Sequence, residues 1–159
     1  MMPDLSTNGP SPMPTRFYVS NPSGANLAAN AWNTIRSPFI WQEDAGYPNG
    51  LASQFNGGTF TPAETGVYFV VFQIYTAPFP VAGYAALSLM SGGNVWRMGP
   101  LAPGVPTGSQ VAMQFSGLAA MSAGTGYAPA IYLSTRVNPK LYDHGHASDS
   151  NYLEIMRVS

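Results

Sequence analysis

Residues 55–78 read FNGGTFTPAETGVYFVVFQIYTAP. A turn rich in Gly and Pro opens into a run, Val67 to Tyr75, where nearly every side chain is large and apolar. Successive side chains of a strand point to opposite faces. Val67, Phe69, Val71, Gln73 and Tyr75 therefore share one face, and Tyr68, Val70, Phe72, Ile74 and Thr76 the other. A strand with one wet face alternates apolar and polar residues, and this one does not. In a two-sheet sandwich only one face of each sheet meets the core. The second apolar face needs another cover, and a chain of 159 residues with no helical apolar spacing has no third layer to supply it. A neighbouring subunit is the expected cover.

Composition points the same way. Only 8% of residues are charged, 13% are aromatic, and there are 17 Gly and 15 Pro. Such a chain suits an all-β domain with turn-rich loops, and its low charge leaves surface that copies of itself or another protein can cover. The basic residues Arg16, Arg36, Arg97, Arg136, Lys140 and Arg157 are scattered. Phosphate binding needs a clustered positive field, so no nucleic-acid partner is expected. There are no cysteines, hence no disulfides and no thiolate metal sites. The longest apolar run, Val67 to Phe72, is far shorter than the ~20 residues of a membrane helix, and no membrane partner is expected. The opening MMPDLSTNGPSPMP lacks the basic and apolar regions of a signal peptide.

Residues 1–15 carry Pro3, Pro10, Pro12 and Pro14 and are expected to form an extended arm. Residues 16–159 form the domain. Its strand candidates are 16–21, 30–36, 38–44, a short strand at 58–62, the long strand from Val67 to Tyr75, a hairpin over 84–99, and strands within 109–124, 126–137 and 151–159. The hairpin turns at Ser91-Gly92-Gly93-Asn94, a sequence suited to positive φ. Residues 102–108 read as a Pro/Gly loop, and Pro129 predicts that its strand starts later or runs along an edge. Eight to ten short strands in one domain predict a two-sheet antiparallel jelly roll.

FNGGTFTPAETGVYFVVFQI resembles the globular head of the complement C1q and tumour necrosis factor superfamily, with Gly58, Phe60, Pro62, Gly66 and Tyr68 on the matching positions and Val70 in place of a second aromatic. ALSLMSGGNVWRMG, FSGLAAMSAGTGYAPAIYL and NYLEIMRVS follow in the family's order, so the resemblance spans about residues 16 to 159. Gly124-Thr125 stands where the family has Gly-Asp, and Leu153-Glu154-Ile155 replaces an aromatic-Gly-aromatic run. The resemblance implies a ten-stranded jelly roll assembled as a homotrimer. It implies that Tyr68, Val70, Phe72 and Ile74, with Leu153 and Ile155, face sister subunits, while Val67, Phe69 and Val71 fill the protomer core.

Similar heads occur in bacteriophage virion proteins. The arm, too short to be a stalk, suits a trimeric capsid decoration or cement protein, or a short head fibre. Residues 1–15 would dock to capsid or other virion proteins, and the protein would assemble in the host cytoplasm and reside in the virion. The alternative is a tail-fibre tip or receptor-binding knob that recognises a host carbohydrate through loops bearing Trp41, Tyr47, Trp96 and Tyr142. Catalysis is not expected. Glu43 and Asp44 are adjacent and point opposite ways on a strand, and Asp143, His144 and Ser148 lie on one loop with no nucleophile elbow. No cofactor is expected beyond a candidate transition-metal site at His144 and His146, whose rings share a side when the chain is extended. A calcium site at Asp143 and Asp149 is a weaker option.

Overall fold

The computed structural model describes residues 14–20, 25–46, 50–134 and 151–159. These residues form two antiparallel sheets packed face to face as a jelly roll. The first sheet has the order β3 (Ile40–Glu43), β1 (Thr15–Ser20), β11 (Tyr152–Arg157), β6 (Gly66–Tyr75), β9 (Ala112–Met121). The second has the order β4 (Phe55–Asn56), β5 (Thr59–Phe60), β10 (Tyr127–Leu133), β7 (Gly83–Ser91), β8 (Asn94–Val105), and β2 (Ala31–Thr34) also pairs with β10. Among the described residues one 3-10 turn, Ala52–Gln54, leads into β4.

Local sequence explains the joints. β7 and β8 meet at the Ser91–Asn94 pair across Gly92 (φ 57) and Gly93 (φ 82). Two successive positive φ angles make the hairpin turn whose twist matches the flanking strands. β4 and β5 repeat this device at Gly57 (φ 54) and Gly58 (φ 88). β8 runs on through the Pro/Gly segment to Val105, with register shifts against β7, where the sequence suggests a loop. Pro129 sits inside β10, paired with Leu89. Its carbonyl accepts from the Ile35 N–H at 3.0 Å, so its donor-less nitrogen faces the junction where β5 pairing gives way to β2 pairing. Proline is tolerated there because no ladder donor is lost. β1 begins at Thr15, one residue inside the expected arm, and residues 1–13 lie outside the described residues.

The core lies between the sheets. On the inward face of the first sheet, Phe17, Leu153, Phe72 and Phe115 are consecutive cross-strand partners. Leu153, Phe72 and Phe115 pack with Leu87, Leu89, Ile131 and Leu133 of the second sheet, and Phe17 stacks on Phe55. This corrects the expected faces of β6. Tyr68, Val70, Phe72, Ile74, Leu153 and Ile155 are each no more than 1% exposed in a single protomer. They are its core and have no surface left to offer a sister subunit. Val67 and Phe69 are on the opposite, half-covered face, with Val71 beside them. The physical reason is visible in register. The strands beside β6 present Glu154, Ser116 and Gln114 on the side of Val71 and Gln73, and that side cannot be a dry interior.

Candidate self-association face

The outward face of the first sheet is ordered in rows, because each residue stands opposite its partner on the next strand. One row is apolar: Met156, Phe69 and Leu118, on β11, β6 and β9. Leu118 is 51% exposed. The next row runs Arg16, Glu154, Val71, Ser116. The third crosses all five strands as Gln42, Tyr18, Tyr152, Gln73, Gln114. It is built entirely from phenols and carboxamides.

Hydrogen bonds tie this third row together. Gln114 Nε2 donates to the Tyr152 hydroxyl at 2.9 Å, and that hydroxyl donates to Gln73 Oε1 at 3.3 Å. Gln114 Nε2 also reaches Gln73 Oε1 at 3.4 Å, and the Tyr18 hydroxyl donates to Gln42 Oε1. In the row above, Arg16 Nε lies 2.9 Å from Glu154 Oε1, and the guanidinium carbon sits 4.0 Å from the centre of the Tyr152 ring. Arginine and glutamate neutralise one another, so the two rows together carry no net charge. Carboxamides and hydroxyls both donate and accept, and a surface built from them can pair with a copy of itself. Here such a surface lies beside a strip of Met, Phe and Leu, the mixture of apolar core and polar rim found at subunit contacts.

The aromatic residues expected to touch ligands divide differently. Trp41 is on β3, not in a loop, and packs on the core edge with its ring 5.1 Å from that of Phe55. Its indole N–H donates to the Ile35 carbonyl at 2.6 Å. That bond commits the polar end of Trp41 to the fold, which corrects its assignment to a ligand loop. Trp96 is 51% exposed but lies on β8, 5.8 Å from the Tyr127 ring, so it too is a strand residue. Tyr47, Tyr142, His144 and His146 lie outside the described residues, as do Asp143 and Asp149. Among the described residues no group of three or more His, Asp or Glu stands together.

Sequence reasoning missed a second aromatic group. Trp32 on β2 pairs with Tyr132 on β10, their ring centres 5.6 Å apart at 65°. Tyr84 on β7 lies 5.6 Å from Tyr132 at 15°. A side-chain hydrogen bond with Tyr84, made by the neutral Tyr132 phenol, holds that phenol above its ordinary pKa, with burial as the next cause. Parity could have shown that Tyr132 points away from the core, because it alternates with Ile131 and Leu133. The β2–β10 pairing that brings Trp32 to it joins residues about a hundred positions apart and has no local sequence mark.

No family model matches this chain, and no curated protein matches it. Solved structures do. The chain is similar to an Eiger TNF from S. frugiperda at 15% identity and TM-score 0.58, with 94% of each chain covered. It is similar to murine APRIL at 14% identity and TM-score 0.61, covering 93% of this chain and 100% of that one. It is similar to the globular domain of a zebrafish complement 1qA protein at 12% identity and TM-score 0.61, covering 92% and 98%. At these identities the likeness is one of fold. The domain has the jelly-roll fold of the TNF and C1q heads.

Proposed function

We propose that this domain assembles as a homotrimer through the outward face of β3, β1, β11, β6 and β9, and that the trimer is a non-enzymatic structural knob. The observation that carries the reading is the exposed Leu118 beside Phe69 and Met156, bordered by the Arg16–Glu154 row and, beyond it, by a row of self-complementary carboxamides and phenols. An apolar strip of this kind is the form of an unfinished interface. The TNF/C1q-like fold adds the expectation of threefold closure that the sequence resemblance carries. Light scattering on the purified chain tests it directly. The expected mass is three times 16.9 kDa, and a mass of 16.9 kDa at micromolar concentration overturns it.

The knob is best read as a bacteriophage virion component, a capsid decoration or cement protein or a short head fibre, assembled in the host cytoplasm. The Pro-rich residues 1–15, the low charge and the absence of cysteine support this reading. Three arms on one knob bind a shell multivalently, so weak individual contacts become long-lived. Deleting residues 1–13 leaves β1 intact, and is expected to abolish binding to particles without changing the mass of the assembly. Unchanged particle binding removes the arm from the mechanism.

A further inference from the structure

The outer face of the second sheet carries the second aromatic group, on the sheet opposite the one used for self-association. We infer that Trp32, Tyr132 and Tyr84 form a stacking platform for an uncharged saccharide. Tyr84 is 42% exposed, and Trp32 and Tyr132 are half-covered, so three rings present surface to solvent side by side. They stand beside small residues: Ala86 is the cross-strand partner of Tyr132, and Ala130 lies two positions before it on the same face. Both alanines are buried, so the surface presented is that of the rings themselves.

The platform is built in advance. Asn33, next to Trp32, donates from Nδ2 to the carbonyls of Ala28 and Ala31 at 2.9 Å each, and its Oδ1 accepts from the Ala28 N–H at 2.7 Å. That clamp fixes the turn into β2. On the other side, Ser134 Oγ accepts from the Tyr84 N–H at 2.8 Å, and the Ser134 N–H donates to the Tyr84 carbonyl at 3.1 Å. Rings held by strands and clamps lose little freedom when a ligand arrives.

Charge and size select the occupant. β2, β7 and β10 contain no charged residue. Among the described residues of these strands, an anionic glycan, a nucleic acid or a charged peptide finds no charge to answer its own. Aromatic faces are electronegative and prefer partners with a weakly positive surface, such as the C–H face of a pyranose. The two phenols add donors and acceptors at the rim for sugar hydroxyls. Three partly covered rings offer on the order of 200 Å², from 150–250 Å² for a whole aromatic side chain. That falls well below the ~800 Å² per partner of a stable protein contact, but matches one to three sugar rings. A second copy of the chain is thereby disfavoured as the occupant.

The inference is independent of the trimer, because the platform and the self-association face lie on different sheets. Its test is saturation-transfer NMR and titration calorimetry on the full chain. The probes are neutral hexasaccharides of glucose (α- and β-linked), mannose and N-acetylglucosamine, with a heparin hexasaccharide and a synthetic peptide of residues 1–15 beside them. At least one neutral hexasaccharide is expected to bind with millimolar or tighter affinity, and heparin is not. Trp32→Ala and Tyr84→Ala are each expected to weaken binding about tenfold or more, and Tyr84→Phe to keep it within about threefold. Trp96→Ala, on another strand, is expected to leave affinity unchanged. Circular dichroism melts establish that each variant is folded. Failure of all the neutral hexasaccharides, binding that survives both alanine variants, or capture of the proline-rich peptide alone overturns the inference. The last outcome assigns the rings to a peptide instead.

Discussion

The guanidinium of Arg16 lies across the ring of Tyr152, 4.0 Å from its centre. Glu154, the cross-strand partner of Arg16, holds it there through an Nε–Oε1 approach of 2.9 Å. Both charged side chains are largely covered within one protomer. A covered ion pair is costly to break from one side, because the remaining charge keeps its desolvation penalty. Arg16→Met is therefore expected to destabilise the domain by about 2–4 kcal/mol. Pairing it with Glu154→Leu should recover part of the loss, since the two sites share one interaction. Urea denaturation of the four members of the cycle measures this. Strictly additive losses would show that the pair contributes nothing to the face.

The two faces of β6 make opposite predictions for neighbouring residues. Phe72→Ala opens a cavity between Leu153 and Phe115 and is expected to cost about 3–5 kcal/mol, read as a lower urea midpoint. Leu118→Glu changes an exposed side chain opposite Phe69 and leaves the core untouched. It is expected to hold the stability of the isolated protomer within about 0.5 kcal/mol while abolishing self-association, because three carboxylates would be buried at once. Light scattering and a urea curve on the same sample separate the effects. A Leu118→Glu protein that keeps the mass of the wild type places the interface elsewhere.

The strand character of β6, the Gly-Gly hairpin at 92–93 and the positions of most strands along the chain are legible in the sequence, because each is written in local residue types. The direction of β6's faces is not. Both carry aromatic and β-branched residues, so parity divides the strand into two sets without saying which set is inside. The deciding residues are on other strands. Glu154, Ser116 and Gln114 stand beside the set containing Val71 and Gln73. Gln73 was the one local hint, a carboxamide in an otherwise apolar set. The family resemblance, not its hydroxyl, sets Tyr68 toward the sister subunits. In the fold that hydroxyl reaches the Glu64 carbonyl at 2.8 Å while the ring stays buried against Phe60. The Trp32–Tyr132 contact was hidden for a different reason: it depends on long-range pairing.

Trp41 and Gly58 form a second test of the packing. A Cβ on Gly58 would stand 2.1 Å from the Ile35 carbonyl oxygen and 2.7 Å from Trp41 Nε1, the two atoms joined by the indole hydrogen bond. Gly58 also has φ +88, which side chains with a Cβ rarely adopt. Gly58→Ala is expected to cost about 2–4 kcal/mol, since overpacking and backbone strain act together. Trp41→Phe keeps most of the packing and deletes the donor, leaving the Ile35 carbonyl one partner short, for about 1–3 kcal/mol. Thermal melts rank the two. A Gly58→Ala protein as stable as wild type would mean that the loop relaxes away from Ile35.

Tyr68 gives the pH dependence. Burial raises its pKa above the ordinary 10.0, and this outweighs the lowering by Arg157. In the unfolded chain the phenol ionises near its ordinary value, so between that value and the higher folded one the unfolded state releases a proton that the folded state keeps. The stability contributed by the buried neutral phenol is therefore complete below about pH 10 and is lost as pH rises through the folded value. The limit for one group is about 1.4 kcal/mol per pH unit. Tyr68→Phe keeps the ring against Phe60 and removes the titration, so its stability curve should be flatter above about pH 10 than that of wild type. Below that pH it should be lower by about 1 kcal/mol, from the lost bond to the Glu64 carbonyl. Tyr132, whose phenol is also held above its ordinary value, titrates in both proteins and cancels in the difference. Urea midpoints measured from pH 7 to pH 11 give the two curves, and parallel curves above pH 10 would exclude Tyr68 as the source of alkaline lability.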